Sequence, residues 1–581
     1  MSSTRIQDLG LRLNRSKKID FTFNGQRFTG FEGDTLASAL LADNRLLINR
    51  SWKYHRPRGI LTAGIEEPNA LAQIETGSNL IPNAKIPEVE LYQGLTAEAV
   101  NPWPGAISRF FSINRRFTPL FPAGFYYKTF MWPAKAWMFY EKFIRNAGGL
   151  GASPVVEDKA SYIHQNTHCE VLIVGGGISG LMAAKALADT GARIIVSELS
   201  AHLGGGAHRY TGTIDGQTPL DWVQSTVAAL EANPNVTIMR RSVTFGSHDH
   251  NFLTIRESRT DHLPLDQRKG FRERIWRVSA AQVILATGAH ERPVVFGNND
   301  LPGVMLSSAL ADYAALYGVR VGSNVVITTT NDSAYNDALI LKKAGSEVTV
   351  VDTRQAAGPA NGYAALAEAA GVKIIRGYVP LAATGGATVT GLIIQANGSP
   401  NGPTQTLTCD SIGMAGGWNP AIHLYSHAGG KAVWNDQTVS FQPSKPVLNQ
   451  FNVGACNASF TLSSAIQESV AAAGAAAAAL KLSANTSVPA VQEPAMQATD
   501  NFWLADSETP VSRRAKAFVD YQNDVGASDI ALAVREGFES IEHIKRYTAL
   551  GFGTDQGKVG NINGMALAAI ALNKPIDKVG T

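Results

Sequence analysis

The sequence predicts an α/β protein built on two Rossmann-like dinucleotide-binding domains, the second inserted into the first, with a smaller module at each end. Three observations predict it. Cys169–Glu198 reads C-E-V-L-I-V-G-G-G-I-S-G-L-M-A-A-K-A-L-A-D-T-G-A-R-I-I-V-S-E: an apolar strand, G-x-G-x-x-G, a helix, a second strand and an acid. Val283–Gly288, V-I-L-A-T-G, is a further strand ending in a turn. Val325–Asp352 repeats the strand–helix–strand pattern.

In the first motif each residue type has a physical task. Gly175 permits the tight turn, Gly177 lets backbone approach a pyrophosphate, and Gly180 lets helix and strand pack closely. The helix N-terminus offers free N–H groups and a partial positive charge. Glu198 is placed to accept hydrogen bonds from an adenosine ribose and disfavours a 2′-phosphate, so NAD or FAD suits the site better than NADP.

At 45% hydrophobic and 17% charged, the 581 residues have ordinary globular composition and length for roughly three or four domains. A net charge of +3 does not point to nucleic acid. Cys169, Cys409 and Cys456 show neither metal-ligand spacing nor a disulfide framework, which suits a cytoplasmic setting. No cleavable apolar leader and no run long enough to span a bilayer is read, so no membrane association is expected.

In chain order, residues 1–16 read as a mobile arm. Ile19–Phe23, N-G-Q at 24–26 and Phe28–Phe31 form a hairpin. Glu32–Ala42 follows as a helix capped by Asp34 or Thr35. Residues 1–60 carry eleven Lys/Arg against five Asp/Glu, and the loop Lys53–Arg58 is read either as solvated surface or as a contact for a subunit or a phosphate. Residues 101–146 interleave aromatics with Arg and Lys, but Pro102, Pro104, Pro119, Pro122 and Pro133 break any long amphipathic helix; a docking surface through Trp132 and Trp137 is expected.

Leu199–Gly206 is a glycine loop able to close over the adenosine side, and Ser242–Gly246 runs near the adenine. Ala286-Thr287-Gly288 recurs where a two-dinucleotide, flavoprotein-type chain crosses beside its cofactor. In the inserted domain T-T-T-N-D replaces the phosphate loop and residues 324–344 hold no glycine, so that second site is expected to be empty or weak. Ile412–Ala421 and Phe451–Phe460 are read as returning to the first domain. The latter carries Gly454-Ala455 where the flavin pattern has Gly-Asp, which favours NAD over FAD. After a linker, helices are expected at Arg513–Tyr521, Ala527–Glu536 and Ser540–Tyr547. The expected division is 1–100, a connecting segment 101–165, a dinucleotide domain 166–485 with its insert at about 320–410, a linker 486–510 and a helical module 511–581.

Two stretches carry resemblances. The hairpin followed by E-G-D-T-L-A-S-A-L (32–40) resembles plant-type [2Fe–2S] ferredoxins, but residues 1–168 hold no cysteine, and thiolates hold such clusters. The segment 518–558 resembles the bacterioferritin-associated-ferredoxin module, whose cysteines would fall near Asp520, Gln522, Asp555 and Gly560. No iron–sulfur cluster is therefore expected in either. Arg546, Thr548, Thr554, Gln556 and Lys558 are left as residues able to grip a phosphate.

With S-W-K-Y-H-R-P-R-G-I-L-T-A-G-I-E-E-P-N-A-L (51–71), G-G-W-N-P-A-I-H-L-Y-S-H-A-G-G-K (416–431) and A-V-R-E-G-F-E-S-I-E-H-I-K-R-Y-T (533–548), the whole chain resembles the α subunits of heterotetrameric sarcosine oxidases. The resemblance implies β, γ and δ partners, sarcosine oxidation on a β subunit carrying FAD, FMN at the α/β boundary, and NAD in this chain. It also implies a C-terminal aminomethyltransferase-like folate domain; the chain stops at Thr581 where that domain would begin, so tetrahydrofolate is expected only if such a domain exists separately. For NAD it implies Gly175, Gly177, Ile178 and Gly180 at the phosphates, and Ser197, Glu198 and Leu199 at the ribose. Gly205, Val243, Gly288, Ala455, Phe460 and Leu462 line the rest; Arg546, Thr548, Thr554, Gln556 and Lys558 would face the FMN phosphate. No catalytic residue and no metal ligand is nominated. The alternatives are a self-sufficient FAD oxidoreductase of an opine, proline or another secondary amine, and a scaffold with structural NAD.

Overall fold

Asn24 and Gly25, both at positive φ (49° and 74°), turn the chain from β1 (Asn14–Phe23) into β2 (Gln26–Glu32), as an Asn-Gly hairpin requires. The computed structural model describes residues 4–100, 122–124, 132–147, 150–355 and 361–580. Thr35 caps α1 (Leu36–Ala42) with Ser38 as its reciprocal partner, and all seven helix residues are buried. With β3 (Leu71–Ile74), β4 (Ile81–Lys85) and β5 (Thr96–Ala99), the described strands form a mixed sheet of order β2-β1-β5-β3-β4.

Residues 4–13 are not a loose arm. Ile6 N donates to Gly318 O (2.8 Å), Leu11 N to Ala315 O (3.0 Å), and the Arg5 guanidinium pairs with buried Asp34. The Lys53–Arg58 loop is likewise not solvated surface. Arg58 and Asp300 are buried, and Arg58 is ion-paired to both Asp300 and Asp524. Arg56 grips Asp300 with two bonds of 2.6 Å, and Lys53 N and Tyr54 N both donate to Asp524 at 2.9 Å. Each buried charge has a partner, as burial demands.

The described residues divide into two units. One comprises Ala160–His290 and Trp418–Ala498; the other gathers Met1–Lys159, Glu291–Gly417 and Thr499–Thr581. The inserted nucleotide-type domain therefore groups with the terminal modules, not with the domain it interrupts. In the first of these units, β6 (Ser161–Val174), α2 (Ile178–Leu187), β7 (Ile194–Ser197) and β8 (Val236–Met239) build the expected β-α-β start, and β9 (Ser242–His248), β10 (Phe252–Ser258) and β11 (Phe271–Leu285) complete a sheet of order β8-β7-β6-β11-β10-β9.

In the other unit, β12 (Val304–Leu306), β13 (Asn324–Thr329), α3 (Ser333–Lys343), β14 (Glu347–Asp352), β15 (Lys373–Arg376) and β16 (Ser411–Ala415) make a parallel sheet of order β12-β16-β13-β14-β15. Ser411–Ala415 thus belongs to this second sheet, correcting its expected return to the first. Its apolar side chains are sheltered on both faces, the requirement of a parallel strand. The chain does return from Trp418 onward, within the expected stretch, then with β17 (Gln450–Asn452), parallel to β11, and with α4 (Leu462–Ala479), whose alanines let it pack closely on α2.

The linker expected at 486–510 is ordered as far as it is described: Val491–Gln492 pairs with Thr213–Ile214. No helix spans Arg513–Tyr521; Phe518–Asp520 is β18, paired with β19 (Val525–Gly526). Asn299 explains this, because its side-chain amide pairs with Phe518 N and Phe518 O at 2.8 Å each, as a neighbouring strand would. The expected helices follow as α5 (Ala527–Arg535) and α6 (Ile541–Thr548), with α7 (Asn561–Leu572) after them. Most of the aromatic-basic segment 101–146 lies outside the described residues; within it Trp132 is 84% and Trp137 37% exposed. Among the described residues no helix is long and apolar enough to cross a membrane.

Candidate functional site

Register brings the site together. Val174 of β6 stands level with Ser197 of β7 and Leu285 of β11, and Leu285 stands level with Asn452 of β17. All four strands are parallel, so the segments after them leave from one edge of the sheet. Those segments are Gly175–Gly180, Glu198–Gly206, Ala286–Gly288 and Val453–Phe460. Carboxyl ends of parallel strands are where such sheets hold ligands.

The glycines differ in what they do. At Gly175 (φ 107°) a Cβ would stand 2.2 Å from Ala286 O; at Gly180 it would stand 1.9 Å from Gly175 O. Both positions are close approaches of backbone to backbone. Gly177 is different: it is the N-cap of α2, and a Cβ there meets nothing within 4 Å. Space is left open beside the free amides of a helix N-terminus, which is what a phosphate needs. Ile178, the first helical residue, is buried beneath it.

Glu198 organises this turn. One carboxylate oxygen accepts from Gly176 N (2.7 Å), the other from Ser200 N (2.8 Å). The carboxylate therefore stands beside the glycine turn at the end of β7. Ser197 is buried and its hydroxyl meets Thr244 Oγ1 at 2.7 Å, next to Val243 on β9. Leu199 is exposed. The Leu199–Gly206 loop packs onto the glycine turn itself: Gly204 N donates to Gly176 O (2.8 Å), and a Cβ on Gly205 would come within 3.3 Å of Gly177 Cα. The expected loop is present, but it lies on the glycine turn.

Gly288 (φ 74°) is open to 4 Å and its carbonyl accepts from Ala421 N. Ala455 lies in a single 3-10 turn, Gly454–Asn457, and Phe460 is half-buried. Leu462, the first residue of α4, already gives its N–H to Glu493 (2.7 Å), as does Ser463 (2.9 Å). Glu493 was not foreseen; it lies 31 residues on, in a stretch with a linker's composition. Cys456 was not foreseen either. Its thiol is buried beside Thr287 Oγ1 at 3.0 Å, and burial pushes it up to about 11, so it stays protonated.

The second nucleotide-type fold has the acid of a ribose site but not its freedom. Asp352 ends β14 and is bound by Arg354 (2.7 and 2.9 Å) and by Tyr335 OH (2.6 Å). Arg354 also holds Asp332 at 2.6 Å. The segment after residue 498 adds Asp500, which accepts from Thr353 Oγ1 (2.6 Å) and donates its N–H to Thr330 O (2.8 Å). Thr328, Thr329 and Thr330 are fully buried.

The five residues expected at an FMN phosphate are each engaged within the chain. Arg546 is exposed beside Glu542, and Thr548 donates to Ile544 O. Thr554 donates to Gln522, and Lys558 donates to Asp555 O and to Gln556. In the same module Asp520 is fully buried with Asp555 nearby; burial first, and then that second carboxylate, raise it to about 6. Among the described residues no group of three or more His, Cys, Asp or Glu could hold a metal ion.

Comparison with known proteins follows the same layout. Residues 169–476 match the pyridine nucleotide-disulphide oxidoreductase family, residues 514–581 the sarcosine oxidase A3 domain, and residues 16–102 the 2Fe-2S iron-sulfur cluster binding domain. The last match corrects the expectation of no iron–sulfur cluster: the segment belongs with cluster-binding domains. Its own residues do not fit the usual ligation, because 16–102 contain no cysteine. The chain is 40% identical to the sarcosine oxidase subunit alpha of Rhizobium meliloti (strain 1021), over 100% of this chain and 58% of that one. It is 35% identical to the same subunit of Corynebacterium sp. (strain P-1), over 99% and 56%. The chain thus spans less than three-fifths of these relatives. The crystal structure of L-proline dehydrogenase from P.horikoshii shares the fold, with a TM-score of 0.67 at 17% identity over 99% of this chain and 96% of that one.

Proposed function

The chain belongs to the pyridine nucleotide-disulphide oxidoreductase family, in a form homologous along its length to sarcosine oxidase alpha subunits, and from that premise we propose that it is the NAD-holding subunit of an amine-oxidising complex. In this reading a secondary amine of the sarcosine type is oxidised on a flavin-bearing partner. The observation that carries the nucleotide part is the alignment of four parallel strand ends around Gly177 and Glu198. The residues suit the group: an open glycine at a helix N-terminus for the diphosphate, and a carboxylate at the end of β7 for ribose hydroxyls. Ala455 supplies no carboxylate at the place where a flavin chain would be held, which favours NAD. When bound, a dinucleotide supplies a redox-active ring beyond its diphosphate. The chain's own residues bind and orient: the first turn of α2 holds phosphate oxygens, and Glu198, held by Gly176 and Ser200, accepts further hydrogen bonds from the ribose.

Calorimetric titration with NAD tests this through Gly177→Ala. The backbone there is extended (φ −74°, ψ −176°) and the added methyl meets no protein atom. The variant should melt like the wild type and bind NAD at least tenfold more weakly. Equal affinity in the two proteins would refute the site.

A further inference from the structure

Val453–Phe460 lies on the side of the glycine turn away from Glu198. The sheet order places β7, with Glu198, on one side of β6, and β11 with β17 on the other. The loop after β17 touches the first turn of α2: Gly454 has φ 67°, and a Cβ there would stand 2.1 Å from Ser179 Oγ. This loop is where the sequence lacks the expected acid. The structure supplies one from inside α4. Glu468 accepts from Gly454 N (3.0 Å), Asn457 Nδ2 (3.0 Å) and Ser459 Oγ (2.6 Å). One carboxylate gathers three donors spread over six residues, and they fix the loop's height above α2.

We infer that Glu468 is a positioning residue for the distal half of the bound dinucleotide. It sets the Gly454–Ser459 loop against α2 so that backbone faces the diphosphate and the nucleoside beyond it. Glu468 itself has its two oxygens taken by the loop and acts through it. The inference rests on the proposal that the glycine site holds NAD, and it makes a distinction that proposal does not. The adenosine half, on the Glu198 side, is read independently of the loop; the other half is not.

Titration of the full chain with NAD and with AMP separates the two. Glu468→Ala should lose about tenfold in NAD affinity, the effect of one or two charge-assisted bonds, while AMP affinity stays within twofold. Glu468→Gln keeps one acceptor and should fall between. Ser459→Ala, which removes a single bond, should shift NAD in the same direction and guards against a Glu468 variant that fails to fold. Equal losses for NAD and AMP, or none for NAD, would overturn the inference while leaving the site intact. A wild-type chain that binds neither ligand would bring down both.

Discussion

Gly175, Gly177 and Gly180 look equivalent in a motif but answer to different neighbours. Gly180 faces the carbonyl of Gly175 at a distance no Cβ tolerates, whereas Gly177 faces open space. Gly180→Ala should therefore destabilise the fold by about 3 kcal/mol, as backbone must shift to admit the methyl. Chemical denaturation measures this, and an unchanged midpoint would contradict the packing described. The packing role of Gly180 was legible in the sequence because it depends on Gly175, five residues earlier in the same motif. Glu468 was not legible: its partners lie 9 to 14 residues upstream, across a helix turn whose spacing carries no pattern. The same holds for Glu493, which caps α4 from a stretch that reads as linker.

At the scale of elements, the pieces with a clear local pattern came out as expected, and those that depend on distant partners did not. The glycine β-α-β start, the Ala-rich helix and the helix after Asp332 obey local propensity. Phe518–Asp520 is a strand only because Asn299, some 219 residues away, pairs with its backbone. The C-terminal module also holds a titration that its sequence hides. Asp520, raised from 3.8 to about 6, binds its proton more tightly folded than unfolded. Stability from this group is thus full below about pH 4 and falls as pH rises towards 6, then levels. Asp555→Asn removes the like charge but not the burial, which is the larger cause. The fall with rising pH should become shallower, because the like charge is gone and Asp555, itself raised by burial, no longer titrates. Thermal melts across that range measure it; a slope identical to wild type would exclude Asp555 as the neighbour that matters.

Over the whole molecule, the two units are each assembled from separated stretches of chain. That assembly explains what the basic loop is for. Lys53–Arg58 meets Asp524 across more than 460 residues and Asp300 across more than 240; these acids pair Arg56 and Arg58, and Asp529 pairs Lys53. Composition showed the excess of positive charge but not the acids that neutralise it, because they come from other ends of the chain. The same folding consumes Asp352 in the second nucleotide-type fold and leaves the Gly177 edge as the place with both open backbone and a carboxylate. We propose that this edge holds NAD. The most direct measurement is to purify the chain, denature it, and identify the released small molecule by absorbance and mass. NAD without flavin is the expected outcome. FAD in stoichiometric amount would contradict it, and would mean that the chain manages without an acid at Ala455 to hold a flavin.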